Sequence, residues 1–148
     1  MPKSLSDTAV RDELLQRLER LSPETRPRWG KMNATQMLGH LADWMSMAEG
    51  SLPTAAMAGF LRYPPIKQLA IYWLPFPRNV MTAPELLRRQ SRDWSFELET
   101  VRERLRSYQS LTARAEWPEH PVFGRMTPRA WCVFGYRHID HHFGQFGV

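Results

Sequence analysis

Residues 127–147 have the sequence TPRAWCVFGYRHIDHHFGQFG, which holds three of the five histidines of this 148-residue chain. Thr127 is a typical N-cap, Pro128 is a typical first helical residue, and Gly147 is a typical helix stop. The pattern therefore predicts a helix that runs to about Phe146. Five side chains fall within an arc of about 100° on its surface, namely Phe134, His138, His141, His142 and Gln145.

Two earlier segments have the apolar spacing of amphipathic helices. The first covers about residues 7–21, with Ser6 as its expected N-cap. The second covers about residues 34–49, where Asn33 and Gln36 form a variant of the capping box.

A third long helix is predicted to begin at Thr82, which forms a capping box with Glu85. A heptad seam of apolar residues follows as far as Tyr108, with Ser91 as its one small polar member. Residues 109–126 are expected to be irregular, and they lead into the helix of residues 127–146.

The connection between the second and third helices, residues 51–81, is interrupted by five prolines. It is expected to form an irregular lid or crossover that includes a short helix over residues 66–74. No stretch of the chain has the pattern of a strand. We therefore predict one all-α domain over residues 1–148, a four-helix bundle with a partly irregular, proline-rich connection between helices 2 and 3.

The composition limits the classes of function. Charged residues make up 24% of the chain and its net charge is +5, but the arginines alternate with acidic residues along helices, so nucleic acid is not the expected partner. Cys132 is the only cysteine, which excludes an internal disulfide. Residues 1–5 lack the apolar run of a signal peptide, and residues 66–76 are too short to span a bilayer. A soluble cytoplasmic protein without membrane partners is expected.

The histidines carry most of the functional information. His138 and His142 are four residues apart and point the same way on a helix, and His40 lies on the apolar stripe of the second helix. Two explanations are open: a hydrogen-bonded or solvated set of histidines, or a divalent metal site shared across the bundle. Neutral imidazoles suit zinc, nickel, copper and iron, of which zinc or nickel is the expected ion.

Several neighbours have alternative roles. His141 is the candidate general base, but it could also replace a ligand or pack beneath the site. Gln145 is a candidate partner for a metal-bound water, or a cap for the last turn. Asp43 would either orient an imidazole or lie on the surface. Asp140 is expected to face solvent, and Cys132 to pack in the core.

The chain resembles the DinB-like superfamily over nearly its whole length, and least over residues 51–80. YRHIDHHFGQ at 136–145 resembles the last-helix signature of that superfamily, and MNATQMLGHLAD at 32–43 resembles its second-helix signature. HPVFGRMTP at 120–128, followed by Trp131, is similar to one branch of the superfamily.

The resemblance implies a four-helix bundle, often dimeric, in which three histidines hold a divalent metal. By position these ligands are His40, His138 and His142. Relatives include zinc-dependent transferases and isomerases that use a low-molecular-weight thiol. Phe143 stands where many members have a basic residue, so the particular cofactor and substrate do not transfer.

A three-histidine site leaves a coordination position open, where water or a thiol becomes a nucleophile at neutral pH. The leading hypothesis is a metal-dependent transferase or hydrolase, in which the open position activates water or a low-molecular-weight thiol for attack on a small electrophile. The alternative is a bundle protein that binds a metal or a small molecule without turnover. A third hypothesis is a structural dimer whose histidines hold no metal.

Overall fold

The helices were located in a computed structural model, which describes residues 1–78 and 90–148. Those residues contain no strand, and only an isolated β-bridge joins His120 to Gly124. In chain order the helical elements are α1 (Thr8–Leu18), α2 (Ala34–Glu49), a 3-10 turn (Phe60–Arg62), α3 (Ile66–Tyr72), α4 (Trp94–Thr112) and α5 (Pro128–Gln145). The predicted all-α class is confirmed.

The four longer helices pack around one apolar core. Both α1 and α2 contact α4 and α5, so each helix has two neighbours. The fully buried side chains come from all four helices and include Leu14, Met37, Leu41, Trp44, Val101, Leu105, Trp131 and Phe143. This packing places the inner faces of α2 and α5 against each other.

Local capping explains where α2 and α5 begin and end. The side chain of Asn33 accepts from the backbone N–H of Gln36, and the side chain of Gln36 accepts from the backbone N–H of Asn33. These two bonds complete the predicted capping box. Gly50 ends α2 with a φ of 88°. Thr127 caps α5 by accepting from the backbone N–H of Ala130. Both predicted helices are confirmed.

Three predicted boundaries are wrong. The N-cap of α1 is Asp7 and not Ser6, because the Asp7 carboxylate accepts from the backbone N–H of Ala9. Helix α1 ends at Leu18, although Leu21 is still buried beyond it. Residues 109–112, predicted to be irregular, continue α4.

The third predicted helix does not run unbroken through its seam. Residues 90–93 are not helical, and α4 begins at Trp94, because the Asp93 side chain caps it by accepting from the backbone N–H of Phe96 at 2.9 Å. Ser91 therefore lies outside the helix. The predicted capping box of Thr82 and Glu85 lies outside the described residues.

The proline-rich connection packs on the bundle through α3, which contacts α5. The predicted short helix of residues 66–74 is confirmed, although it ends at Tyr72. The Arg137 guanidinium of α5 donates to the backbone carbonyls of Ala70, Ile71 and Leu74. These bonds satisfy carbonyls at the end of α3 and tie the connection to α5.

Among the described helices, none combines the length and the apolar character that crossing a membrane requires.

Candidate metal centre

Three imidazoles from α2 and α5 converge on one point. The Nε2 atom of His138 lies 3.1 Å from Nε2 of His40 and 3.1 Å from Nε2 of His142. One ring nitrogen from each of the three histidines lies within 4.8 Å of the others. Ligands of one zinc ion at bonds of ~2.0–2.1 Å stand about 3.3 Å apart in a tetrahedral site. The spacing therefore suits a single cation.

Helical periodicity explains the convergence. His40 lies on the stripe of α2 between the buried Met37 and Trp44, which faces α5. His138 and His142 lie one turn apart on α5 and are each only 9% exposed. Two buried side chains on α5 and a partly buried one on α2 thus bring their ring nitrogens together.

All three imidazoles are held in the neutral form. Burial lowers the pKa of His40 to about 4 and that of His142 to about 3. Burial, followed by the repulsion that a protonated His142 or His40 would exert, holds the pKa of His138 well below its usual range. At neutral pH each ring therefore offers a lone pair, which is the form that binds a divalent cation.

Gln145 orients His142 through a short chain of hydrogen bonds. The Nδ1–H of His142 donates to Oε1 of Gln145 at 2.9 Å, and Nε2 of Gln145 donates to the carbonyl of Trp29 at 2.8 Å. Because the amide nitrogen must donate to that carbonyl, its oxygen faces His142. The proton of His142 then stays on Nδ1, and its Nε2 lone pair points at the other two histidines.

The three Nε2 atoms do not satisfy one another without a cation. Nε2 of His142 presents a lone pair. A proton on Nε2 of His138 can form a hydrogen bond to His40 or to His142, but not to both. Nδ1 of His138 is also buried and has no hydrogen-bond partner among the described residues. A divalent cation would take all three lone pairs at once, so the residues present fit the metal that the resemblance implies.

A cavity of about 480 Å³ opens beside these nitrogens. Its lining is mainly apolar and includes Trp44, Met47, Leu61, Ala70, Leu74, Phe76, Phe123 and Phe134. The ring of Phe76 stacks on that of His138 at 6.0 Å and on that of His141 at 5.3 Å. The connection between α2 and α3 and the segment up to residue 78 therefore form one side of the cavity, as a lid would.

His141 is close to the cluster but does not join it. Its ring stacks against Phe76 and lies 5.8 Å from the ring of Trp29, and it lines the cavity. Burial holds the pKa of His141 below its usual value, although the charge of Asp140 raises it; the charge of Arg78 lowers it further. Its role as a general base stays a prediction, as does the role of Gln145 toward a metal-bound water.

The remaining candidates do not belong to the set of three converging histidines. Asp43 is buried in α2, which excludes the surface alternative, and its role in orienting an imidazole stays a prediction. Asp140 is partly exposed, as expected, and also forms an ion pair with Arg17 at 2.6 Å. Cys132 is buried in the core, and burial raises the pKa of its thiol to about 11.

His120 is the site residue that the sequence reasoning missed. It precedes α5 in an irregular segment, is only 6% exposed and lines the same cavity. No helical spacing relates it to the other histidines. Its place in the HPVFGRMTP stretch, quoted for the resemblance, was the one signal available.

Comparison with known proteins gives a family for the chain. The model of the family described as the DinB superfamily matches residues 7–146. No curated protein and no solved structure matches the chain.

Proposed function

The chain belongs to the DinB superfamily, and from this premise we propose that it is a metal-dependent enzyme that acts on a small electrophile. The ligands are His40, His138 and His142, and the ion is zinc or nickel. The observation that carries the proposal is the convergence of three neutral Nε2 atoms at the wall of a cavity.

The histidines leave part of a coordination sphere open. All three approach from α2 and α5, so the opposite side faces the cavity. A divalent cation bound there supplies a Lewis acid that makes water or an exogenous thiol nucleophilic at neutral pH. The cavity admits such a nucleophile together with a small substrate, which favours an enzyme over a closed binding site.

The neighbouring residues have separate roles in this proposal. Gln145 is a positioning residue, because its amide oxygen accepts from His142 while its amide nitrogen donates to the carbonyl of Trp29. His141 faces the cavity with a lowered pKa, so it can accept a proton from a nucleophile near neutral pH. The apolar lining supported by Phe76 excludes bulk water, which strengthens electrostatic effects at the site.

The type of nucleophile determines the reaction class. Attack by water gives a hydrolase, whereas attack by a low-molecular-weight thiol gives a transferase or an isomerase. Dimerisation and a cytoplasmic location stay predictions and do not enter the proposal.

The test is a panel of small electrophiles offered to untagged, zinc- or nickel-loaded protein, with and without a low-molecular-weight thiol. Turnover should require the metal and should be lost after chelation and in His138→Ala. Metal that is bound without turnover of any electrophile would contradict the enzyme and leave a non-catalytic metal-binding protein.

A further inference from the structure

His120 stands in a tight loop between α4 and α5. Its backbone N–H donates to the carbonyl of Gly124 at 2.9 Å, and the N–H of Gly124 donates back at 2.8 Å. Gly124 has a φ of +65°, a conformation that favours glycine, and the Arg62 guanidinium packs directly against it. The loop is therefore closed at its base, and the position of the His120 ring is well determined.

The backbone also determines where the proton of His120 lies. Nδ1 accepts from the N–H of Val122 at 3.1 Å and from the N–H of Phe123 at 3.3 Å. A ring nitrogen that accepts hydrogen bonds carries no proton, so the proton of neutral His120 is on Nε2. Burial, with the charges of Arg62 and Lys67, lowers the pKa of His120 to about 3, so the ring stays neutral.

The Nε2–H is left as a donor toward the cavity. His120 lines the cavity, and three aromatic rings enclose its imidazole: Phe123 at 4.9 Å, Trp131 at 5.3 Å and Phe134 at 5.4 Å. Among the described residues, none accepts a hydrogen bond from Nε2 and no carboxylate lines the cavity. Nε2 is not among the fully buried side-chain atoms that lack a partner, so it is accessible from the cavity. A bound molecule that supplies an acceptor at this point in the apolar lining gains affinity.

This donor lies near the metal candidate without belonging to it. The ring of Phe134 packs 5.4 Å from that of His120 and 6.2 Å from that of His138. His120 is absent from the set of converging nitrogens. One small molecule in the cavity can therefore contact His120 and approach the His40–His138–His142 cluster together.

We propose that the Nε2–H of His120 binds an oxygen atom of the substrate, and that the substrate is an apolar carbonyl compound. The carbonyl oxygen accepts from His120, and the hydrocarbon body packs against the apolar lining. This inference rests on the proposed function where it calls the bound molecule a substrate. The hydrogen bonds that carry it do not depend on a metal.

Two variants of His120 separate its two nitrogens. In His120→Asn the side-chain oxygen takes the place of Nδ1, which keeps the backbone hydrogen bonds and removes the donor toward the cavity. In His120→Gln the amide nitrogen reaches the place of Nε2 and keeps that donor. The probes are acetophenone, which has a carbonyl oxygen, and ethylbenzene, which has the same shape without it.

Dissociation constants are measured by calorimetry on the full, metal-loaded chain. His120→Asn should weaken the binding of acetophenone about fivefold, which is the effect of one neutral hydrogen bond. It should change the affinity for ethylbenzene less than twofold. His120→Gln should keep most of the acetophenone affinity. Equal weakening of both probes, an unchanged acetophenone affinity in His120→Asn, or no binding of acetophenone by the wild-type chain would each overturn the inference.

Nitrogen NMR of the wild-type chain gives a second measurement that does not require binding. Nδ1 of His120 should resonate as an unprotonated nitrogen and Nε2 as a protonated one from pH 5 to 8; a proton on Nδ1 overturns the inference. Metal analysis of the same sample separates the two proposals. If the chain binds no added zinc or nickel but keeps the selective acetophenone effect, the metal enzyme is ruled out and the role of His120 stands.

Discussion

Two of the walls of the cavity have opposite character. The helical wall consists of the lining residues of α2 and α5 and carries the polar atoms of His40, His138, His142 and Gln145. The connection wall consists of the lining residues between 61 and 78 and is mainly apolar, with Phe76 stacked over the histidines. The candidate metal-binding groups lie where helix periodicity determines their positions, whereas the connection wall determines the shape of what can enter.

Removal of a proposed ligand from the helical wall should have the largest effect on metal affinity. His138→Ala should lower metal affinity by more than the roughly 10–100-fold that loss of a ligand's hydrogen-bond partner costs. His141→Ala is the matched control, because its ring lies on the same helix outside the cluster. Competition with a chromophoric chelator measures the metal affinity of both variants. Equal affinity in the two variants would contradict the ligand assignment.

The hydrogen-bond chain behind His142 should have the next largest effect. Gln145→Ala frees the His142 ring and should weaken metal binding by about 10–100-fold. Gln145→Glu keeps an acceptor for Nδ1–H, although it loses the donor to the Trp29 carbonyl, so its loss should be smaller. Metal dissociation constants give the comparison, and the opposite ranking would show that Gln145 does not position His142.

Close packing under the helical wall should limit substitution at Gly135. A Cβ atom there would lie 2.7 Å from Leu5 and 2.7 Å from Trp44, whose ring packs against His138. Overpacking costs about 1–3 kcal/mol and exceeds the helix-propensity gain of about 1 kcal/mol. Gly135→Ala should therefore lower the free energy of unfolding in urea.

Gly144 is the matched control for Gly135, because an added Cβ would meet no atom within 4 Å. Gly144→Ala should leave the free energy of unfolding unchanged or raise it by up to about 1 kcal/mol. Two variants of equal stability would show that α5 shifts freely against Trp44.

The neutral His120 should make stability depend on pH. Its pKa falls from an ordinary 6.5 to about 3 on folding, so between these values the unfolded chain binds more protons than the folded one. The contribution of His120 is complete above pH 6.5 and is lost as pH falls toward 3. In His120→Asn the slope of unfolding free energy against pH should be shallower by up to about 1.4 kcal/mol per pH unit.

Urea unfolding of metal-free protein at pH 6, 5 and 4 measures that slope. Parallel lines for the wild-type chain and His120→Asn would show that His120 takes up a proton equally in both states.

The hydrogen bonds of Arg137, which join the two walls, should have the smallest effect on metal affinity. Arg137→Ala removes the donors to the carbonyls of Ala70, Ile71 and Leu74. Hydrogen exchange over residues 66–76 should become about fivefold faster, the effect of about 1 kcal/mol, while metal affinity stays within twofold. Arg129→Ala, on an exposed part of α5, is the control. A large loss of metal affinity would show that the connection wall also holds the ligands.

The sequence predicted the helical wall well because its signals are local. Asn33 with Gln36 and Thr127 with Pro128 are caps that act within one turn, and they defined the starts of α2 and α5. The spacing from Met37 through His40 to Trp44 placed that histidine toward α5. The cluster of three histidines then followed from the packing of two helices.

Other features could not be predicted because they depend on competition or on distant contacts. The seam through Ser91 favoured an unbroken helix, but Asp93 caps α4 and competes successfully with that pattern. The tie from Arg137 to α3 and the turn of His120 into the cavity join residues far apart in the chain. No local sequence pattern predicts such contacts.

X-ray absorption spectroscopy of the untagged, zinc-loaded chain tests most directly whether imidazoles of α2 and α5 share one ion. Three histidine nitrogens at ~2.0–2.1 Å and one further light-atom ligand are expected, with one nitrogen lost in His40→Ala. A spectrum with fewer than three imidazoles, with sulfur as a ligand, or unchanged in His40→Ala would contradict the proposed centre.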